Sequence, residues 1–161
     1  MKGVYLLLGS NLGDSETVLL LARSLIEVRI GRVVKASSIY LTKAWGIENQ
    51  PDFLNQVLEL DTKFDAAEVL KCILEIELEL GRVRFQKWGT RIIDIDILYF
   101  GKSIIDTNDL IIPHPENQNR NFVLVPMAEI APEFIHPVLQ LSQTELLMNC
   151  PDKLKVALLQ N

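Results

Sequence analysis

Arg91-Ile92-Ile93-Asp94-Ile95-Asp96-Ile97-Leu98-Tyr99-Phe100 is the stretch on which the fold and the chemistry of this chain both turn. Its β-branched and aromatic residues read as a buried β-strand from Ile93 to Phe100, interrupted only by two acids. Side chains alternate across a strand, so Asp94 and Asp96 share a face, with Cα atoms about 6.6 Å apart. Paired carboxylates repel and are costly beside apolar neighbours. A hard cation between them removes that cost, and Mg²⁺ takes carboxylate oxygens while keeping waters and substrate phosphates as its other ligands. The strand alone suits a metal pair and a solvated acidic face equally.

The residues upstream favour the metal. Arg82, Arg84, Lys87 and Arg91 lie between Gly81 and Asp94, with Trp88 and Gly89 among them. Guanidinium groups hold phosphate oxygens bidentately. Carboxylates for a metal beside arginines for phosphate form the electrostatic kit of phosphoryl transfer, in which catalysis is mostly positioning and charge neutralisation. A solvated basic turn facing surface acids is the plainer alternative.

Working outward, Val4 to Leu8 reads as a buried strand that ends in the turn-forming Gly9-Ser10-Asn11-Leu12-Gly13-Asp14. A helix is expected from Ser15 to Val28, capped by Asp14 or Ser15, with Leu19, Ala22 and Ile26 on its apolar face and Gly31 at its stop. Arg32 to Tyr40 alternates as a second strand, Leu41 to Asp52 reads as a loop, and Phe53 to Leu60 as a third strand. Asp65 and Glu68 make a capping box for a second helix, whose core face is Ala66, Val69, Ile73, Ile76 and Leu80 and which Gly81 closes. The aspartate strand follows, then a turn at Gly101-Lys102 into a short strand at Ser103 to Ile105. Asp106 to Asn121 reads as a polar loop, Phe122 to Ile130 as a short helix despite Pro126, and the tail from Ser142 as one or two short helices. The order β-α-β-β-α-β predicts an α+β ferredoxin-like sandwich with a C-terminal extension, forming one domain over residues 1–161. Both helices then cover one sheet face and leave the other for ligands.

The chain has 161 residues, 48% of them hydrophobic, enough for one domain with a proper core. A net charge of −5 argues against a general nucleic-acid binder and makes the cationic loop a local feature suited to a small anion. Cys72 and Cys150 form neither a zinc spacing nor a disulfide framework, which fits a reducing cytoplasm. No apolar run approaches a membrane span, and the N-terminal one is too short for a signal peptide.

With these residues in view, the sequence resembles the 6-hydroxymethyl-7,8-dihydropterin pyrophosphokinase family of folate biosynthesis. The resemblance is carried by GSNLGD at 9–14, PDFLN at 51–55, ELELGRVR at 77–84, KWGTRIIDIDILYFG at 87–101 and IPHPENQNRNFVLVPMAEIAPEF at 112–134. It implies transfer of the β,γ-pyrophosphoryl group of ATP, as co-substrate, to the pterin hydroxymethyl oxygen, with AMP leaving. Asp94 and Asp96 then match the family's ligands for two Mg²⁺ ions, and two metals can clamp both ends of an in-line displacement. Arg82 and Arg91 match its catalytic arginines, and Arg84 and Trp88 match loop positions that close over ATP. The resemblance assigns Thr42, Gly46, Phe53, Asn55 and Phe122 to the pterin, with the aromatics stacking and the amide reading the ring edge. Glu77, His114 and Arg120 join Arg84, Trp88 and Arg91 as ATP contacts, and His136 is structural. The chain departs from the family pattern at Leu74, Thr90, Asp109 and Pro115, around the nucleotide.

Two other classes compete. A nucleotidyltransferase also uses a Gly-Ser turn and a D-x-D strand, but here Gly9-Ser10 lies far upstream of Asp94. A ligand-sensing module on the same scaffold would have no need for paired acids beside an arginine loop. No G-K-[S/T] is present for a Walker-type kinase. The expected enzyme is a monomer in the cytoplasm that binds neither nucleic acid nor membrane.

Overall fold

Apolar residues in near-continuous runs build the centre of the sheet, because a strand covered on both faces has no solvent side to alternate with. The computed structural model describes residues 3–11, 14–42, 52–81 and 92–159. Strands β1 (Val4–Ser10), β4 (Phe53–Asp61) and β5 (Asp94–Phe100) form an antiparallel core, with β1 buried throughout between the other two. Strands β2 (Arg32–Ala36) and β3 (Tyr40–Thr42) both pair with β4, and β8 (Val156–Leu158) extends β3. The sheet order is β5-β1-β4-β3-β8, with β2 also on β4, so the chain is α+β on an antiparallel sheet.

Helices α1 (Ser15–Arg29) and α2 (Ala66–Glu79) lie on one face. Asp14 caps α1 by accepting from Thr17 N, and Asp65 and Glu68 complete the expected capping box on α2. Their buried stripes, Leu19, Ala22 and Ile26 against Val69, Ile73 and Ile76, pack on Leu6, Leu8, Leu58, Ile95 and Ile97. Gly31 follows α1 because a Cβ there would lie 2.3 Å from Asp61 O.

The opposite face carries a second cluster. Tyr5, Leu7, Val57, Leu98 and Tyr99 meet Val123 and Met127 of α3 (Asn121–Ile130). A register shift beside Tyr5/Leu6 explains why consecutive Leu98 and Tyr99 both join this cluster. Phe134 stacks at 4.9 Å from both Tyr5 and Tyr99, and His136 meets Tyr99 edge-on at 5.5 Å. His136 is buried and its Nδ1 accepts from Val138 N and Leu139 N, which bears out its structural reading.

Three elements differ from expectation. The single strand at Arg32–Tyr40 is two strands, because Ser37 and Ser38 leave the ladder. The Ser37 hydroxyl accepts from Val57 N, and Ser38 N donates to the Glu129 carboxylate. The strand expected at Ser103–Ile105 is β6 (Ile105–Asp106), which pairs with β7 (Ile111–Ile112) inside the segment expected to be loop. The tail contains one helix, α4 (Gln143–Met148), and then the strand β8 where helix was expected. No helix among the described residues is long and apolar enough to cross a membrane.

Both described histidines are held neutral, and this has a consequence for stability. Burial is the main cause of depression at each, with Arg120 adding to it at His114. Near and below the ordinary value of about 6.5 the unfolded chain binds protons that the fold refuses, so stability falls as pH drops through that value. Above it the two groups add no pH dependence. Thermal melts are expected to be level from pH 8 to 7 and to lose midpoint between pH 6.5 and 5. A level midpoint down to pH 5, or imidazole NMR titrations at ordinary values, overturns this.

Candidate active site

Residues paired directly across antiparallel strands share a sheet face, so the register alone brings distant residues together. Asp94 pairs with Gly9, Gly9 with Asn55 and Asn55 with Tyr40, a row across four strands. Asp96 is next to it, opposite Leu7, and Thr42 pairs with Phe53 at the other end. Helix α3 packs on this same face, over Leu7 and Val57, and its Glu129 accepts from the Tyr40 hydroxyl.

Asn55 is 4% exposed and its Oδ1 accepts from Thr42 Oγ1 at 3.1 Å. Its amide lies over Gly9, where a Cβ would come within 2.9 Å of Nδ2. Glycine is therefore what lets the amide cross β1 toward the aspartates. Phe53 and Phe122 are half-buried, and the Arg120 guanidinium lies 5.5 Å from the Phe122 ring centroid.

Asp94 and Asp96 are half-buried on β5, which stands at the end of the sheet order and, among the described strands, pairs with β1. An edge strand needs partners for its outward backbone groups. Glu77 of α2, 2% exposed, supplies one by accepting from Ile95 N at 2.9 Å, between the two acids. The Ser10 hydroxyl donates to Ile92 O, just before the strand. The strand is thus held on both sides of Asp94. Among the described residues no three or more His, Cys, Asp or Glu side chains gather as a metal cage. A half-exposed pair of carboxylates suits Mg²⁺, which uses one or two of them and takes the rest of its shell from water and phosphate.

His114 follows the cis Ile112–Pro113 bond. Its backbone N–H donates to Leu98 O at 3.0 Å, tying it to the aspartate strand. Nδ1 accepts from Glu116 N at 3.2 Å, so the neutral ring carries its proton on Nε2, a donor for an anion. Arg120 and Asp94 are both near enough to bias its charge, Arg120 lowering its pKa and Asp94 raising it. On the helix side, a cavity of about 670 Å³ is lined by residues including Ala66, Leu70, Leu74, Ile105, Asp109 and Leu110. Two of the departures from the family pattern, Leu74 and Asp109, therefore face one space.

Of the residues anticipated from sequence, Asp94, Asp96, Thr42, Phe53 and Asn55 share one face, Phe122 packs against the apolar cluster on it, and His114 feels the charges of both Arg120 and Asp94. Glu77 reaches the same strand from the helix face. Gly46, Arg82, Arg84, Trp88 and Arg91 lie outside the described residues. Sequence reading puts Gly9 and Ser10 in a turn-forming cluster after a strand ending at Leu8, whereas both belong to β1, where the period-2 register sets Gly9 on the aspartate face.

The family model described as 7,8-dihydro-6-hydroxymethylpterin-pyrophosphokinase (HPPK) matches residues 5–132. The chain is 44% identical over 138 residues to the 2-amino-4-hydroxy-6-hydroxymethyldihydropteridine pyrophosphokinase of Aquifex aeolicus, covering 86% of each chain. Against the protein of that name from Bacillus subtilis it is 46% identical over 127 residues, 78% of this chain and 76% of the relative. Against that from Haemophilus influenzae it is 38% identical over 153 residues, 94% and 95%. The fold matches the solved structure of wild-type Plasmodium falciparum HPPK-DHPS with a TM-score of 0.74 at 18% identity, over 91% of this chain and 44% of that one. The chain thus spans less than half the length of that solved protein, and the likeness speaks to fold alone.

Proposed function

This chain belongs to the 7,8-dihydro-6-hydroxymethylpterin-pyrophosphokinase family, the dihydropteridine pyrophosphokinases of folate biosynthesis, and we propose that its open sheet face transfers pyrophosphate from ATP to 6-hydroxymethyl-7,8-dihydropterin, giving AMP and the pterin pyrophosphate. The observation that carries the assignment of roles is the row Asp94–Gly9–Asn55–Tyr40, which joins an acidic pair to an amide in one plane.

The pterin lies at the amide end. Asn55 reads its donor–acceptor edge, Thr42 holds that amide in orientation, and Phe53 and Phe122 supply flat contact, with Gly46 contributing from the neighbouring segment. The hydroxymethyl group points along the row toward Asp94. Asp94 and Asp96 would hold two Mg²⁺ ions, which would neutralise the triphosphate and lower the cost of charge on the attacking and leaving oxygens. Arg120 and the Nε2–H of His114 hold phosphate oxygens beside Asp94. Arg82, Arg84, Trp88 and Arg91 complete the phosphate side and exclude water. Glu77 serves the nucleotide side through the strand that it holds. The cavity lined by Leu70, Leu74 and Asp109 accommodates the nucleoside, with apolar contact from Leu74 where relatives offer a polar group.

We take residues 1–161 to act as one domain, since the sheet spans β1 to β8. We take it to work as a cytoplasmic monomer with two free cysteines, which light scattering and fractionation check. The deciding experiment incubates the purified protein with ATP, Mg²⁺ and the dihydropterin. Equimolar AMP and pterin pyrophosphate, abolished by EDTA, are expected. Free pyrophosphate in place of AMP would make it a nucleotidyltransferase, and no turnover by the folded protein would leave a binding module.

A further inference from the structure

Helix α3 begins at Asn121, and the residue before it, Arg120, offers no side-chain cap. A helix start leaves backbone N–H groups without partners, and a carboxylate there is favoured by the dipole as well. Here the partner comes from the C-terminal segment. Asp152 Oδ2 accepts from Asn121 N at 3.0 Å, while its Oδ1 accepts from Leu154 N at 2.8 Å. The Asn121 amide answers by donating to Asp152 O at 2.9 Å and Leu154 O at 3.2 Å. A few residues on, the same segment becomes β8, with Val156 opposite Thr42 and Leu158 opposite Tyr40. Leu159 N donates to Ile39 O at 2.9 Å to close the pairing.

One short piece of chain therefore ties the start of α3 to β3. Arg120 and Phe122 flank the tied residue, and Thr42 lies on β3. The other end of α3 is tied to the same strand region, because Glu129 accepts from Ser38 N and Oγ and from Tyr40 Oη at 2.6 Å. The match to the family model ends at residue 132, so Asp152 lies beyond it. We propose that Asp152 is a positioning residue for the reaction: by capping α3 from the C-terminal strap, it fixes Phe122 against the pterin and Arg120 against the phosphates. This rests on the roles proposed for those two residues above.

The test compares wild type with Asp152→Ala, Asp152→Asn and Phe122→Ala. In Asp152→Ala the Asn121 amide should exchange with solvent roughly tenfold faster, as a cap bond is lost. Its KM for the pterin should rise about three- to tenfold with a smaller change in kcat, because the competent pose is less populated. Asp152→Asn offers one carbonyl oxygen for two N–H groups and should fall between, and it serves if the alanine variant does not fold. A purely structural strap would lower the melting temperature and leave both KM values alone. Unchanged exchange at Asn121, or faster exchange with wild-type KM values for both substrates, overturns the proposal. Phe122→Ala separates the two layers. If it leaves the pterin KM unchanged, the stacking assignment fails, while the exchange and the KM for ATP still decide whether Asp152 acts through Arg120.

Discussion

Asp96→Ala is expected to cut turnover by at least about 10³-fold while leaving the fold intact, since it removes half of the charge that gathers cation and triphosphate. Asp96 is half-buried on β5 opposite Leu7. It belongs to neither hydrophobic cluster. Truncating it therefore opens no core cavity, and relief of repulsion with Asp94 offsets any lost contact. The fold should persist, as for a half-buried strand residue outside both apolar clusters. The measurement is initial AMP release at saturating substrates across a Mg²⁺ titration, with a melt on the same sample. Excess Mg²⁺ should not restore the rate, because a missing ligand changes the position of the ion as well as its occupancy. Turnover within tenfold of wild type would remove Asp96 from the metal site and leave the acidic pair as a solvated edge.

Much of this was legible in the chain because local signals agreed with the final packing. The alternation in β5 and the capping box at Asp65 and Glu68 are properties of a few adjacent residues, and both are present as read. Glu77, singled out in the sequence through the resemblance, is buried in α2 and accepts from Ile95 N. What escaped notice depends on residues far apart in sequence. The break between β2 and β3 is made by Glu129, about ninety residues from Ser38. Strand β8 is three residues long, too short to show a period, and exists because β3 offers an edge. The same holds in the site. Asp94 and Asp96 announce themselves by spacing, whereas Asn55 is assigned only through the family resemblance, and its place across β1 depends on Gly9. Asp152 is one acid in a polar tail until its carboxylate is seen on the first amide of α3.

Arg91→Ala is expected to lower kcat by about 10²-fold or more, with little change in either KM, on the scale of losing one preorganised charge-stabilising donor. The argument is one of position along the chain. Arg91 immediately precedes Ile92, whose carbonyl is held by the Ser10 hydroxyl, and stands three residues before Asp94. Arg91 itself lies outside the described residues, and its proposed role rests on its place in the sequence beside that fixed carbonyl. Its guanidinium would be available to charge that develops as the bond between the α and β phosphates breaks. With Arg120 and His114 proposed on the phosphates of ground-state ATP, binding should survive the loss. An interaction made only in the transition state lowers kcat and kcat/KM equally, whereas uniform binding raises KM alone. Steady-state kinetics varying ATP and then pterin distinguish the two. A rise in the KM for ATP at unchanged kcat would make Arg91 a binding residue, and the transition-state charge would then fall to Arg82. Arg91→Lys sharpens the reading, because a point charge without the planar fork should recover only part of the rate.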